Sequence, residues 1–286
     1  MSNLKRNFCL GSEWIYFKIY TGVKTADIIL TEHLYPIIKQ LQQEKAIEKW
    51  FFIRYKDTDN HLRIRFLIAK NQNVSKIIDS FYPVFNDLIE NNLISKIQTD
   101  TYNREIERYG ETTMEDSESL FWYDSELILA YLNLKSQFEK EELFLITSFL
   151  AIDSLLNAFS TSTVDKLILM TQLQESFKKE FNADKTLKKE FDVHFRTLLP
   201  EITSFLNGKA SKDYQELFEI INRKELLCKE TASTIQKNLK MSPIDFLQSH
   251  IHMMVNRQYS SSQRMYECLI YDHLHRFYKI LDFKKP

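Results

Sequence analysis

Two arginines and a histidine alternate along one short stretch of the chain, and side chains of these types can hold an anion. His61, Arg63 and Arg65 are separated by single apolar residues, so in a β-strand they share one face and the apolar side chains share the other. Two strand steps place the guanidiniums roughly 7 Å apart. Two planar guanidinium groups at that spacing can bind a carboxylate or a phosphate through paired hydrogen bonds. The pattern predicts an anion clamp, with a solvated strand face as the alternative.

A charged loop at residues 102–110 is the second candidate. It contains Arg104 and Arg108 among glutamates, and it ends at Gly110, one of only four glycines in the chain. A glycine at such a position favours a positive φ. Loops that follow strands often carry functional groups, but a turn held by local ion pairs is the alternative.

The segment 249–257 is the third candidate. On a helix, His252 and Asn256 share a face because they are four residues apart, and Arg257 shares another face with Met253. His250 points elsewhere, so the His-x-His spacing predicts no metal site. A histidine beside a polar neighbour suits general acid–base catalysis near neutral pH. The alternative is a surface histidine without a catalytic role. The aromatic run at 121–123 is more typical of a core than of a site.

Composition limits the classes of protein that fit. The chain has 286 residues, of which 44% are hydrophobic and 27% charged, as in a folded globular protein. Its formal net charge of −1 gives no general signal for nucleic acid. No run of 18 apolar residues predicts a membrane span, and no signal peptide is recognisable. Three scattered cysteines predict free thiols and a cytoplasmic location.

The hydrophobic pattern predicts an α+β fold. Its first part follows the order strand, helix, strand, strand, helix, strand, which is a ferredoxin-like βαββαβ arrangement with one sheet face covered by helices and the other open. Kinks or interruptions are expected at Pro36 and Pro83. After an irregular lead-in at residues 1–12, the predicted elements are strand 14–20, helix 26–43, strands 50–55 and 61–66, helix 74–91 and strand 97–102.

The remainder of the chain shows helical periodicity only. We predict a single domain, 1–286, with a sheet part at 1–110 and a helical layer at 111–286 that packs onto it. Ser242 and Pro243 are typical of a helix start. The predicted helices are 114–134, 139–160, 163–181, 184–206, 211–239, 243–257 and 261–281.

Together these stretches resemble the C-terminal elimination domain of class I lantibiotic dehydratases and the related thiopeptide-type bacteriocin biosynthesis proteins. The resemblance spans nearly the whole chain. It is carried by the strand WIYFKIY (14–20), WFFIRYKDTDNHLRIRF (50–66), TYNREIERYG (101–110), the helix start at 114–125 and HMMVNR (252–257).

The resemblance implies a reaction on a ribosomally made precursor peptide. In that family a glutamylation domain esterifies Ser or Thr with glutamate from glutamyl-tRNA, and the elimination domain then removes the glutamate to leave dehydroalanine or dehydrobutyrine. The glutamylation domain is not recognisable here, so the resemblance implies a split system with a separate glutamylation protein as partner. A lanthionine cyclase is a further implied partner, and a homodimer is compatible with the sequence. No cofactor and no direct contact with nucleic acid are implied.

The resemblance also assigns roles to residues. The arginines would grip the glutamyl group and the developing negative charge, and the histidine would move a proton. The implied catalytic residues are Arg63, Arg65, Arg108 and His252, with Arg104 as an alternative to Arg108. The implied substrate-binding residues are Arg54, His61, Arg104, Asn256 and Arg257.

Two other functions stay open. Some relatives join two dehydroalanines into a six-membered nitrogen ring in a [4+2] reaction that closes a thiopeptide macrocycle and releases the leader peptide. A non-catalytic partner could instead bind the leader peptide as an added strand at a sheet edge. Retention of Arg63 and Arg65 together with His252 favours elimination over both.

Overall fold

The computed structural model describes residues 4–70, 72–138, 143–209 and 211–283. Contacts divide the chain into two compact units. The first comprises Met1–Asn133 with Asn238–Met241, and the second comprises Leu134–Lys237 with Ser242–Pro286. In the ranges described, no helix is both long and apolar enough to cross a membrane. The fold is mixed and helix-rich, with small antiparallel sheets.

The first unit is built on a four-stranded sheet of order β3-β4-β2-β5, in which every neighbouring pair is antiparallel. Two short strands, β1 and β6, pair antiparallel in a second sheet. The elements are β1 (Asn7–Phe8), β2 (Trp14–Thr21), α1 (Thr25–Ile28), α2 (Tyr35–Gln43), β3 (Ile47–Lys56), β4 (Asn60–Ile68), α3 (Val74–Glu90), β5 (Ile94–Thr99), β6 (Tyr102–Asn103), α4 (Ile106–Tyr109) and α5 (Met114–Leu134).

One face of the large sheet forms the core of this unit. Because side chains alternate along a strand, Phe17, Phe52 and Ile64 lie on the same face and are buried. They pack in one cluster with the apolar sides of α2 and α3, including Ile38 and Phe81. The helices therefore cover this face, as the alternation predicted.

Helix α5 lies against strand β3, which is an edge strand of the sheet. The backbone N–H of Phe52 donates to Ser125 Oγ over 3.2 Å, and the Trp50 indole N–H donates to Glu126 over 2.9 Å. The Phe52 bond satisfies a backbone group that an uncovered edge strand would expose. The predicted core role of the aromatic run holds for Phe121, which is buried.

The two prolines behave differently from one another. The predicted helix 26–43 contains a π-helical stretch, Ile29–Leu34, and Pro36 lies in the first turn of α2 directly after it. The irregularity expected there is thus a widened turn. The predicted interruption at Pro83 is wrong, since α3 runs through it. Buried Phe81 and Phe85 anchor the helix on both sides, so packing outweighs the lost backbone hydrogen bond.

The last predicted strand, 97–102, is displaced. Strand β5 runs from Ile94 to Thr99, residues 100 and 101 belong to no strand, and β6 follows. Strand β6 pairs with β1, so the lead-in predicted as irregular contains a short strand. This pairing joins residues almost a hundred positions apart, which local periodicity does not reveal.

The second unit is helical in the residues described. The helix that begins at Pro243 is capped as local rules predict, because the Ser242 side chain accepts a hydrogen bond from a backbone N–H. Residues 139–142 of the predicted helix 139–160 lie outside the described ranges. The helices are α6 (Leu143–Ala158), α7 (Thr163–Glu180), α8 (Lys185–Leu206), α9 (Gln215–Asn238), α10 (Pro243–Gln258) and α11 (Gln263–Phe283). All three cysteines are free, which confirms that prediction.

Candidate active site

Arg65 is a buried cation inside a cage of aromatic rings. Its register in β4 places it opposite Tyr16 of β2 and Phe51 of β3, and it is 8% exposed. The guanidinium carbon lies 4.3 Å from the centre of the Tyr16 ring, 5.3 Å from that of Phe51 and 4.9 Å from that of Tyr102. Each ring face attracts the cation, so the rings hold the guanidinium in place.

Among the residues described, no carboxylate forms an ion pair with Arg65, and its Nε is buried without a hydrogen-bond partner. Burial lowers the pKa of Arg65, while the neighbouring Tyr16 and Tyr102 oppose that shift. An arginine remains charged at neutral pH, and a buried charge without a partner is costly. A bound anion would relieve that cost, so this is a strong candidate for a functional group. The open sheet face predicted for this position is wrong, because the rings cover Arg65. The same rings argue against the alternative of a solvated strand face at Arg65, and the anion clamp stays a prediction.

Arg63 is held by two neighbours on the same face of the sheet. Its guanidinium carbon lies 3.4 Å from the centre of the Tyr55 ring, and its Nε donates to Nε2 of His61 over 3.1 Å. The other His61 nitrogen, Nδ1, lies 3.0 Å from the carbonyl oxygen of Asp59. A neutral ring with its proton on Nδ1 satisfies both contacts, and burial lowers the pKa of His61 accordingly. His61 therefore positions Arg63.

Arg54 lies on the opposite face of the sheet. It pairs in register with Leu62 rather than with Arg63, so it points toward the helices. There its Nη2 donates to Asp27 over 2.6 Å, and the side chain is buried. The structure thus separates Arg54 from Arg63 and Arg65, which lie on the other face of the sheet. The predicted role of Arg54 as a substrate-binding residue gains no support.

The loop arginines have different surroundings. Arg104 is buried, and its Nε and Nη2 each donate to one carboxylate oxygen of Glu118 over 2.7 Å. Arg108 is exposed and pairs with Glu105 at 3.1 Å. The Arg104 guanidinium is already hydrogen-bonded to Glu118. Of the two arginines in this segment, Arg108 is therefore the one that can turn toward a ligand. Gly110 ends the loop with φ of +76°, which confirms the expected positive angle.

In the second unit, His252 is tied to a buried carboxylate. Its Nδ1 lies 2.7 Å from Oε1 of Glu267, and the His252 side chain is 36% exposed. Glu267 is buried and also accepts hydrogen bonds from Tyr271 over 3.0 Å and Arg264 over 3.0 Å. A carboxylate at Nδ1 fixes the ring and its tautomer, which leaves Nε2 for proton transfer. Glu267 was not among the residues predicted from the sequence, since no spacing links it to His252.

The other predicted residues of this segment hold the structure together. Asn256 Nδ2 donates to Gln263 over 3.3 Å, and Arg257, which is 1% exposed, donates to the Met253 carbonyl over 2.9 Å. His250 is buried, and burial lowers its pKa well below the usual value. These contacts fix helix α10 and the turn that follows it, whereas His252 is the histidine that reaches the surface.

Residues 14–278 match the family "Lantibiotic biosynthesis dehydratase C-term", and the chain belongs to this family. The membership expected from the motifs is thereby confirmed.

Individual relatives agree with this assignment. The chain is 25% identical over 260 residues to the epidermin biosynthesis protein EpiB of Staphylococcus epidermidis, covering 89% of this chain and 25% of that protein. It is 25% identical over 279 residues to the nisin biosynthesis protein NisB of Lactococcus lactis subsp. lactis, covering 96% of this chain and 26% of that protein. The chain thus spans about a quarter of the length of these curated relatives.

Two solved structures share the fold. One is the tRNA-dependent lantibiotic dehydratase MibB from Microbispora sp. 107891, with a TM-score of 0.75, 18% identity, and coverage of 100% of this chain and 29% of that one. The other is the pyridine synthase TbtD from thiomuracin biosynthesis, with a TM-score of 0.62, 14% identity, and coverage of 94% of this chain and 100% of that one. At such identities the likeness establishes the fold.

Proposed function

We propose that this chain eliminates glutamate from O-glutamylated Ser or Thr of a ribosomally made precursor peptide, and so acts as a lyase in lanthipeptide biosynthesis. The observation that carries the proposal is the caged Arg65 cation, which has no ionic partner in the described residues. A glutamyl ester supplies the anions that such a cation can hold. Membership of the dehydratase family supports the same assignment.

The reaction removes a proton from Cα and breaks the Cβ–O bond. The electrons of the Cα–H bond form the new double bond, and glutamate departs as a carboxylate with the electrons of the C–O bond. Negative charge therefore grows on the leaving oxygen and on the amide carbonyl next to Cα. Fixed cations stabilise such charge without having to reorganise. In our proposal Arg65 and Arg63 perform this task, and the exposed Arg108 binds the second glutamyl carboxylate.

His252 is the proton-transfer residue of the proposal. Its Nδ1 contact with Glu267 supports proton exchange at Nε2, and general acid–base catalysis of this type contributes about 10²–10⁴-fold to a rate. His61 has a different role, because its hydrogen bond from Arg63 makes it a positioning residue.

Three further points belong to the proposal. We assign glutamylation to a separate protein partner, and we place the reaction in the cytoplasm. We describe the first unit as ferredoxin-like, an assignment supported by its βαββαβ order and by the antiparallel strand order β3-β4-β2-β5. The proposed reaction uses no cofactor.

The test is single-turnover mass spectrometry with a synthetic peptide that carries one O-glutamyl serine. The purified chain should convert the ester into dehydroalanine, which a thiol traps, whereas hydrolysis would return serine. Arg65→Gln should lower the elimination rate by about a hundredfold or more. The matched control is Arg6→Gln, because Arg6 forms an exposed pair with Glu107 at 2.6 Å. Equal rates for wild type and Arg65→Gln would refute the assignment.

A second candidate function is pyridine ring formation, which the fold shared with TbtD favours. A peptide with two dehydroalanines separates the candidates, since ring formation uses it as substrate and elimination does not. Ring product from this peptide, with no turnover of the glutamyl ester, would replace the proposed function with the second candidate.

A further inference from the structure

A buried carboxylate contacts the ring cage of Arg65. It belongs to Glu118 of α5, which is 1% exposed. Its Oε1 accepts a hydrogen bond from the Tyr102 hydroxyl over 2.9 Å and another from Arg104 Nε over 2.7 Å. Its Oε2 accepts a hydrogen bond from Arg104 Nη2 over 2.7 Å. These hydrogen bonds fix the carboxylate against the segment 102–104.

Tyr102 connects Glu118 with Arg65. The hydroxyl end of its side chain binds Glu118, and the centre of its ring lies 4.9 Å from the guanidinium carbon of Arg65. The other two rings of the cage, those of Tyr16 and Phe51, belong to register partners of Arg65 in the large sheet, so strand pairing sets their place. Strand β6, which carries Tyr102, belongs to the other sheet. The place of the Tyr102 ring relative to Arg65 therefore depends on side-chain contacts, and its hydrogen bond to Glu118 is a directional one.

The contact with Glu118 also affects how strongly the Tyr102 ring attracts a cation. The Tyr102 hydroxyl is a hydrogen-bond donor at neutral pH, because burial and the charge of Glu118 raise the pKa of Tyr102 well above its usual value. Hydrogen bonds in a buried network polarise one another, and a phenol that donates to a carboxylate gains electron density in its ring. Since the ring face attracts a cation through that density, Glu118 both orients the ring and strengthens its attraction for Arg65.

We propose that Glu118 positions the Arg65 guanidinium through the Tyr102 ring. The consequence for catalysis rests on the elimination reaction proposed above, in which Arg65 stabilises charge that grows in the transition state. Glu118 and Tyr102 are then positioning residues of that reaction, because both act through Arg65. A displacement of about 1 Å in such a group can cost on the order of a hundredfold in rate. The alternative is a purely structural role, in which Glu118 only ties α5 to the segment 102–104.

The first test is the steady-state elimination kinetics of Tyr102→Phe on the glutamyl peptide. This variant keeps the ring and the ion pair between Arg104 and Glu118, and it removes the hydrogen bond between Tyr102 and Glu118. We expect kcat to fall about tenfold while KM stays within about twofold of the wild-type value, because the displaced charge acts in the transition state. In an Arg65→Gln background the same substitution should leave kcat unchanged, since the group that it positions is gone.

The matched control is Tyr278→Phe. The buried Tyr278 hydroxyl donates to Asp153 over 2.7 Å in the second unit, so this variant removes a tyrosine–carboxylate hydrogen bond of the same kind outside the ring cage. It should keep the wild-type kcat and KM. A structural role of Tyr102 alone would make the two tyrosine variants behave alike.

The second test observes Arg65 directly and needs no turnover. In protein that contains ¹⁵N-labelled arginine, the Nε–H signal of Arg65 is identified by its absence in Arg65→Lys. Aromatic rings shift the resonance of a nearby proton, so Tyr102→Phe and Glu118→Gln should both move this signal, and Tyr278→Phe should leave it in place. Glu118→Gln leaves the buried Arg104 without its carboxylate, which costs stability. Tyr102→Phe retains that ion pair and decides the test even where Glu118→Gln does not fold.

The two tests together separate this inference from the proposed function. A moved Arg65 signal with a lower kcat in Tyr102→Phe supports the inference. An unmoved signal in that variant would overturn it, and so would an unchanged kcat or a further loss of rate when Tyr102→Phe is added to Arg65→Gln. Failure of the proposed function gives a different pattern, in which wild type eliminates no glutamate while the Arg65 signal still moves in Tyr102→Phe. That pattern keeps the link from Glu118 to Arg65 and refutes the elimination reaction.

Discussion

Nδ1 of His252 and Oε1 of the buried Glu267 lie 2.7 Å apart. Tyr271 and Arg264 donate hydrogen bonds to this carboxylate. Glu267 is therefore fixed in position and in turn fixes the imidazole ring of His252. In the proposed reaction, this relationship would make Glu267 a positioning residue that acts through the His252 imidazole.

Glu267→Gln should therefore slow elimination without removing it. An amide can meet Nδ1 through either its oxygen or its nitrogen, so the tautomer of His252 is no longer fixed. We expect a loss of roughly tenfold or more, smaller than the ~10²–10⁴-fold loss expected for His252→Ala. Single-turnover rates on the glutamyl peptide measure both. When Glu267→Gln is added to His252→Ala, the elimination rate should fall no further. A further fall in rate would contradict the positioning role of Glu267.

The two loop arginines should separate into a structural residue and a functional one. Arg104→Gln leaves the buried Glu118 without its ionic partner, and breaking a buried pair costs about 3–5 kcal/mol of unfolding free energy. Arg108→Gln removes an exposed pair with Glu105, which is worth about 0–1 kcal/mol, but it should lower the elimination rate. Urea unfolding and the peptide assay test the pair together. A stable Arg104→Gln protein beside a destabilised Arg108→Gln protein would reverse the assignment.

Gly110→Ala should destabilise the end of the short helix α4, which carries Arg108. The backbone has φ of +76° and ψ of 142°, a combination that L residues avoid. An added Cβ would also lie 2.6 Å from Thr113 Oγ1. We expect a loss of about 1–3 kcal/mol, measured by urea unfolding. Gly11→Ala is the matched control, because its φ is also positive, +92°, but nothing lies within 4 Å of the added carbon. Equal losses would show that the contact with Thr113 contributes nothing.

Acid should destabilise the protein in part through His250. Its pKa in the folded chain lies well below the usual 6.5 because the ring is buried. As the pH falls below 6.5, His250 takes up a proton in the unfolded chain but not in the folded chain. The free energy of unfolding therefore decreases, by up to about 1.4 kcal/mol per pH unit for this group.

His250→Leu should remove that part of the pH dependence. Urea unfolding on both sides of pH 6.5 provides the measurement. The pKa values of His61 and His273 are also lowered by burial, so the variant should lose one group's share of the slope and no more. An unchanged slope in His250→Leu would contradict the prediction.

Local patterns in the sequence predicted most of the elements and the candidate residues. Alternation in β4 placed Arg63 and Arg65 on one face, because side chains on a strand alternate by geometry. Helical periodicity located the helices of the second half to within a few residues, and the Ser242 cap marked the start of α10. The motifs that resemble the dehydratase family identified the family to which the chain belongs.

The tertiary structure decided what each candidate can do. Arg65 was expected on an open face, but rings from β2, β3 and β6 enclose it. Strand β6 pairs with β1 in a separate sheet, so its ring reaches Arg65 through tertiary packing. Contacts between different elements also decide the other two cases. Glu118 pairs with Arg104, whereas Arg108 is exposed, and Glu267 fixes His252. Periodicity describes which side of an element a residue occupies. Which residues of distant elements meet there depends on the packing of the whole unit, and a single sequence does not state it.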